Sequence, residues 1–386
     1  MKKQLTRIAS WMLLATMGQA GAFAQNIRID MNQTYPEKTI NLQKVADVKY
    51  IPLETTDEVL FNGIVTNLSA EGIAGFNKKE GDILVFDGTG KAIASFNHTG
   101  QGPNEYNKIY HLDVDWKQKE VYVQDNFRQK IRIYGLDGRH LRTIDLQETM
   151  QEGDLYSFSD THLIYYAKPK SKPVTPYEPV TLLSKKDASK ATLPFTKTDD
   201  NLVKATGGPF GDMKMSAKNV NLLYKKGDEV YVNEVTADVI YRVESNHALT
   251  PVVERTPSYQ DASGQDFFLM LTGANARYYF FKRQQALLEF QGNAATDTKS
   301  TYVAYDRKEK QLLNPTFTNE DYPSQDIPMS KLLQCAGSAN RCYLQLEAFK
   351  LKEALAEGKL KGTLKSIAEK LDEEDNPVLM VVEFKK

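Results

Sequence analysis

Along the chain, short runs rich in Val, Ile, Tyr and Phe recur between turns marked by Gly and Asp, the pattern of antiparallel strands. Shifting the sequence by 48 lays Ile73 on Val121, Ile83-Leu84-Val85-Phe86 on Ile131-Arg132-Ile133-Tyr134, and Gly90-Lys91 on Gly138-Arg139. A shift of 109 lays Val121-Tyr122-Val123 on Val230-Tyr231-Val232 and Ile131 on Ile240. Weaker copies of this strand, loop, strand, turn unit fall at His162–Ser189, Tyr278–Lys310 and Cys342–Val382, which makes six in tandem. Only residues 347–374 read as helical, and Gly358 and Gly362 divide that stretch in two. Its Leu351, Leu355, Leu360, Leu364, Ile367 and Leu371 approximate an apolar stripe, expected to pack back on the strands.

A tandem period decides the architecture before any single residue does. Each unit carries strand signals at about the density of a four-stranded antiparallel sheet, and such sheets set radially around a channel leave only short edges. A linear solenoid would need polar caps at both ends, whereas this chain ends on the apolar strand Val378-Leu379-Met380-Val381-Val382. The expected fold class is therefore all-β, a six-bladed β-propeller with a helical insertion in its last blade. That blade lacks an outer strand, and the spare segment Val45–Leu53 is expected to supply it, so that the N- and C-terminal strands close the ring.

Two further features set the compartment. Lys2, Lys3 and Arg7 precede an apolar run from Ile8 to Met17 and then Ala22-Phe23-Ala24, so residues 1–24 are expected to be a cleaved secretory signal. Ten apolar residues are too few to cross a bilayer core that needs about 20. Residues 25–386 should then form one propeller domain, periplasmic or extracellular, with no lipoprotein Cys after the signal and no membrane span. The 49 Lys and Arg nearly balance the 50 Asp and Glu, and no segment concentrates the basic charge that nucleic-acid binding uses. Cys335 and Cys342 flank a stretch able to turn back on itself, and a small-loop disulfide is expected in an oxidising compartment. Two buried thiols are the alternative, and zinc lacks the His or further Cys it would need.

Three stretches carry a resemblance: Asp47-Val48-Lys49-Tyr50-Ile51-Pro52-Leu53-Glu54-Thr55, Gly100-Gln101-Gly102-Pro103-Asn104-Glu105-Tyr106, and Asp375-Asn376-Pro377-Val378-Leu379. In them the sequence resembles six-bladed β-propeller proteins exported by gut-type anaerobic bacteria, NHL-like in shape and without an assigned biochemical function. The resemblance implies the fold and export over the whole mature chain, and implies no activity. Gly207-Gly208-Pro209-Phe210-Gly211-Asp212 is a degraded echo of the middle stretch.

In a propeller, the loop between the second and third strands of each blade shares a face with the connections between blades. The longest such loops are expected at Lys168–Tyr177, Lys282–Thr298 and Glu347–Asn376, and long loops on a rigid scaffold carry binding residues. These loops predict a walled cleft on that face. His98, Glu105 and Tyr106 are candidates for a polar site near the channel, or else for a clip between blades in which Glu105 accepts backbone N–H groups and Tyr106 is buried. Arg128, Lys168 and Arg283 are candidate basic groups on the same face. The five His show no metal-ligand spacing, no Gly-x-Ser-x-Gly elbow occurs, and no metal or cofactor is expected.

A binding module for a glycan or peptide is the leading expectation. The alternatives are a propeller enzyme, a lyase or glycoside hydrolase with carboxylates or a His at the channel mouth, and a protein-interaction scaffold built on the helical insert.

Overall fold

The computed structural model describes residues 27–146, 149–168, 176–197, 202–207, 213–216, 222–259, 261, 267–291, 294–295, 299–334 and 336–386. Residues 1–24, expected to be a signal, lie outside that set, as does Cys335.

Six antiparallel sheets follow the sequence repeat. Blade 1 is built from Ile64–Leu68, Gly72–Phe76, Ile83–Asp87 and Ala92–Phe96, paired in chain order. Blade 2 uses His111–Asp115, Glu120–Asp125, Lys130–Gly135 and His140–Asp145, and blade 3 Thr149–Ser157, His162–Lys168, Val180–Ser184 and Lys190–Thr192. Blade 4 comprises Leu223–Lys226, Glu229–Val232, Val239–Val243 and Leu249–Thr256, and blade 5 Phe267–Ala274, Tyr278–Gln285, Ser300–Asp306 and Gln311–Thr318. Middle strands such as Val121-Tyr122-Val123 are buried on both faces because each sheet packs between two others. Their continuous apolar runs follow from that double burial.

Blade 6 closes the ring. Arg341–Leu346 pairs with Val378–Phe384, which pairs in turn with Ala46–Pro52, so the N-terminal strand supplies the outer edge as expected. Two features were not expected. Ile27–Asp30 adds in parallel to Leu249–Thr256 as a fifth strand of blade 4, and Glu37–Asn41 adds in parallel to Gln311–Thr318 on blade 5. The first described residues thus strap the outer edges of blades 4, 5 and 6 in succession. Between the second and third strands of blade 5, Leu287–Gln291 pairs in parallel with Leu202–Thr206 from the blade 3 to blade 4 connection, forming a small additional sheet with Met213–Ser216 and Ala294–Ala295.

The insert of blade 6 forms two helices, Ala348–Ala356 and Gly362–Ala368. Leu351, Leu360, Leu364 and Leu371 are buried in one apolar cluster with Phe317, Ile327, Val378 and Met380, and Leu355 and Ile367 pack against it. The stripe therefore faces the propeller and is not free to dock a partner.

One expectation is corrected. The second strand of blade 5 runs on to Gln285, so the loop starts later than Lys282 and Arg283 is a strand residue. Its guanidinium donates to Gln33 O at 2.6 Å, Met31 O at 3.3 Å and Thr301 Oγ1 at 3.0 Å, which fastens the N-terminal strap to blade 5. Cys342 is fully buried, and Cys335, the partner expected for it in a disulfide, lies outside the described residues. Cys342 Sγ lies 3.8 Å from Gln334 Oε1 and 3.9 Å from Asn275 Nδ2, and burial pushes its pKa up.

Candidate functional site

The stretch Gly100–Tyr106 joins blade 1 to blade 2 and is held by hydrogen bonds within itself and from blade 2. Glu105 Oε2 accepts the Gly102 N–H at 2.7 Å. A Cβ at Gly100 would stand 2.0 Å from that oxygen, so a side chain there would displace the Glu105 carboxylate from this contact. Arg128 donates to Gly102 O, Glu105 O, Gly100 O and Gln101 Oε1 at 2.8–3.2 Å, and buried Arg132 donates to Glu105 O at 2.8 Å. Tyr106 is fully buried, its hydroxyl donates to Gly81 O at 2.7 Å, and burial raises its pKa to about 12. His98 stacks on Tyr134 with centroids 5.0 Å apart, and its Nε2 lies 2.7 Å from Gly138 O. These contacts lock blade 1 to blade 2.

At the channel, the innermost strands contribute a polar cluster that spans four blades. Fully buried Asp113 of blade 2 accepts from Asn67 Nδ2 of blade 1 at 2.7 Å, the Ser157 N–H of blade 3 at 2.7 Å and Lys225 Nζ of blade 4 at 3.1 Å. A charge this deep is tolerated because it is paired and fully hydrogen-bonded. His111, two residues earlier on the same strand, lies deep in the molecule yet keeps some accessible surface, as a channel-lining side chain does. Its Nε2 has no hydrogen-bond partner among the described residues. Burial lowers its pKa to about 4, with Lys225 acting in the same direction and Asp113 against it.

A cleft of about 310 Å³ opens at the boundary of blades 5 and 6. One wall is the connection between these blades, with Tyr322, Asp326, Pro328 and Lys331. The other is the end of the second strand of blade 6 and the start of the first insert helix, with Gln345, Glu347 and Lys350. Ile327, Leu346 and Leu351 make an apolar floor, while Lys331 and Lys350 stand exposed at the rim. This arrangement can bind a ligand of mixed character, with apolar contact below and charge of both signs above.

The sequence-derived residues thus separate from the cleft. His98, Glu105, Tyr106 and Arg128 cluster at the blade 1 to blade 2 junction, Arg283 holds the N-terminal strap, and the Lys168 side chain lies outside the described residues. None of those whose side chains are described lines the cleft. The signal that located its wall is the long insertion after Leu346. Among the described residues no group of three His, Cys, Asp or Glu could hold a metal ion, and no helix is long and apolar enough to cross a membrane.

Residues 26–383 match the family described as "Domain of unknown function (DUF4934)". The crystal structure of a "putative exported protein" from Bacteroides fragilis is similar, at 16% identity and a TM-score of 0.64, covering 93% of this chain and 99% of that one. A member of the DUF4221 family from Bacteroides vulgatus is similar at 8% identity and a TM-score of 0.51, covering 89% and 98%. No curated protein matches.

Proposed function

The chain belongs to the family described as a domain of unknown function, DUF4934, and we propose that it is an exported binding protein whose ligand occupies the cleft between blades 5 and 6. The observation that carries this reading is the cleft itself, a concavity of about 310 Å³ walled by the insertion that distinguishes blade 6 from the other five. Ligand sites combine an apolar lining with a few placed polar groups, and Ile327, Leu346 and Leu351 beneath Lys331, Lys350 and Glu347 meet that description. The expected leader in residues 1–24 and the likeness to an exported Bacteroides fragilis protein support a location outside the cytoplasm.

Binding without catalysis is favoured by the state of the channel carboxylate. Asp113 is consumed by Asn67, Ser157 and Lys225, and so is not placed for acid-base work. The test is a screen of the purified protein against arrays of peptides and of plant, host and bacterial glycans, repeated with Lys331→Glu/Lys350→Glu. Both lysines are exposed, so the double variant should fold normally. Binding lost at least tenfold in the variant supports the cleft; silence on every array, or binding the variant leaves unchanged, overturns it.

A further inference from the structure

In blades 1 to 5 an innermost strand runs along the second strand, but in blade 6 the only described pairing at that position is the bridge between Leu333 and Tyr343. The two residues exchange both main-chain bonds, Leu333 N–H to Tyr343 O at 2.9 Å and Tyr343 N–H to Leu333 O at 2.7 Å. Successive residues of an antiparallel strand direct their N–H and C=O groups to alternate sides. Gln345, two residues beyond Tyr343, therefore presents both groups to the same inner side, away from Val378–Phe384. Continued register would place Lys331 opposite Gln345. Instead Met329–Lys331 form a single 3-10 turn, closed by Leu332 N–H to Met329 O at 3.1 Å, which carries the chain off the ladder. Among the described residues no group bonds the main-chain N–H or C=O of Gln345, and Gln345 lines the cleft.

We infer that the ligand is an extended peptide that adds to blade 6 as the missing part of its innermost strand, bonded through its backbone to the N–H and C=O of Gln345. This rests on the cleft reading above and names the chemical class of its occupant. An open strand edge offers a donor and an acceptor at the spacing of another strand, and peptide recognition by strand addition uses that complementarity. Side chains of an added strand alternate between its faces, so one apolar residue would meet the floor at Ile327 and Leu346 while polar neighbours reach Lys331 and Glu347. A glycan would draw instead on aromatic stacking, for which the cleft offers only the half-buried Tyr322.

The test selects binders from a library of random octapeptides with the purified protein, then scans one binder by backbone N-methylation. It also follows amide exchange at Gln345 and compares Gln345→Ala with Gln345→Pro. The Gln345 N–H takes no part in the ladder with Val378–Phe384, so proline there removes the free donor and leaves that pairing intact. Expected are a tenfold or greater loss at one specific methylated nitrogen, at least tenfold slower exchange of the Gln345 amide on binding, affinity within threefold for the alanine variant, and a tenfold loss for the proline variant. The N-methyl scan and the exchange measurement decide the matter even where Gln345→Pro does not fold. Selection of no peptide, a flat methyl scan or unchanged exchange at Gln345 overturns the inference. Glycans that bind in a manner sensitive to Lys331→Glu/Lys350→Glu, with no peptide bound, would sink strand addition and leave the cleft standing. Peptide binding indifferent to that double variant would remove both.

Discussion

Tyr50 lies directly opposite Met380 in the outer ladder of blade 6, joining strands 330 positions apart in sequence. Through this ladder the two ends of the described chain hold the ring shut, and the Tyr50 hydroxyl adds a contact to Asn319. Leu53 N–H donates to Pro377 O at 3.2 Å, so by alternation the N–H of Lys49 faces Val381 and belongs to the ladder. Lys49→Pro removes that donor, whereas the exposed side chain itself does little. Proline here should cost about 2–3 kcal/mol, and Lys49→Ala less than about 0.5 kcal/mol. Urea unfolding of the two variants beside the parent checks this; equal losses would deny the ladder its role.

The Asp113 cluster makes a sharper energetic claim. Lys225→Met leaves a carboxylate at the channel with its cation gone, and breaking a buried pair from one side costs about 3–5 kcal/mol. Asp113→Asn added to it removes the stranded charge while Asn can still accept from Asn67 or the Ser157 N–H. The double variant should therefore be more stable than Lys225→Met alone. A double-mutant cycle by denaturant unfolding should return a coupling above about 1 kcal/mol; additive losses would show that the two groups do not stabilise each other.

How far the sequence carried the fold can be read from its turns. The turn between the third and fourth strands holds a left-handed residue in five blades, at Gly90, Gly138, Ala188, His247 and Lys310. The geometry repeats, but only the first two use glycine, which is why blades 1 and 2 superpose in sequence and later blades show through their strands alone. The parallel straps at Ile27–Asp30 and Glu37–Asn41 were hidden because no repeat contains them. The cleft was legible as a consequence of the long insertion after Leu346, and not as a set of residues. Its far wall comes from Asp326–Lys331, and the open edge at Gln345 follows from one 3-10 turn, neither of which a composition or period announces. Glu105 and Arg128 were visible as polar candidates, yet sequence alone could not weigh a ligand against the backbone carbonyls that Arg128 meets.

Arg128 reaches four acceptors of the Gly100–Glu105 loop from a planar fork, a geometry lysine cannot reproduce. Arg128→Lys should therefore behave almost as Arg128→Ala, each costing about 2–3 kcal/mol, and amide exchange from Gly100 to Tyr106 should quicken at least tenfold. Exchange unchanged in the lysine variant would mean that the loop holds its shape without the clamp.

The His111 side chain ties stability to pH in a definite direction. Its pKa in the folded protein is lowered to about 4, chiefly by burial, with Lys225 assisting and Asp113 opposing, and its ring packs edge-on against Tyr156. An unfolded chain takes up the proton near the ordinary value of about 6.5. Between these values the unfolded state binds more protons than the folded one, so stability is fully present above about 6.5 and falls as the pH drops toward 4. Replacing the ring by one that cannot titrate removes this component. The stability difference between the parent and His111→Leu, followed by urea unfolding from pH 7.5 to 4, should shift by on the order of 2–3 kcal/mol in favour of the variant on acidification. A difference that stays constant across that range would mean that His111 is solvated well enough to carry its proton inside the fold, and the channel would then be wetter than its packing implies.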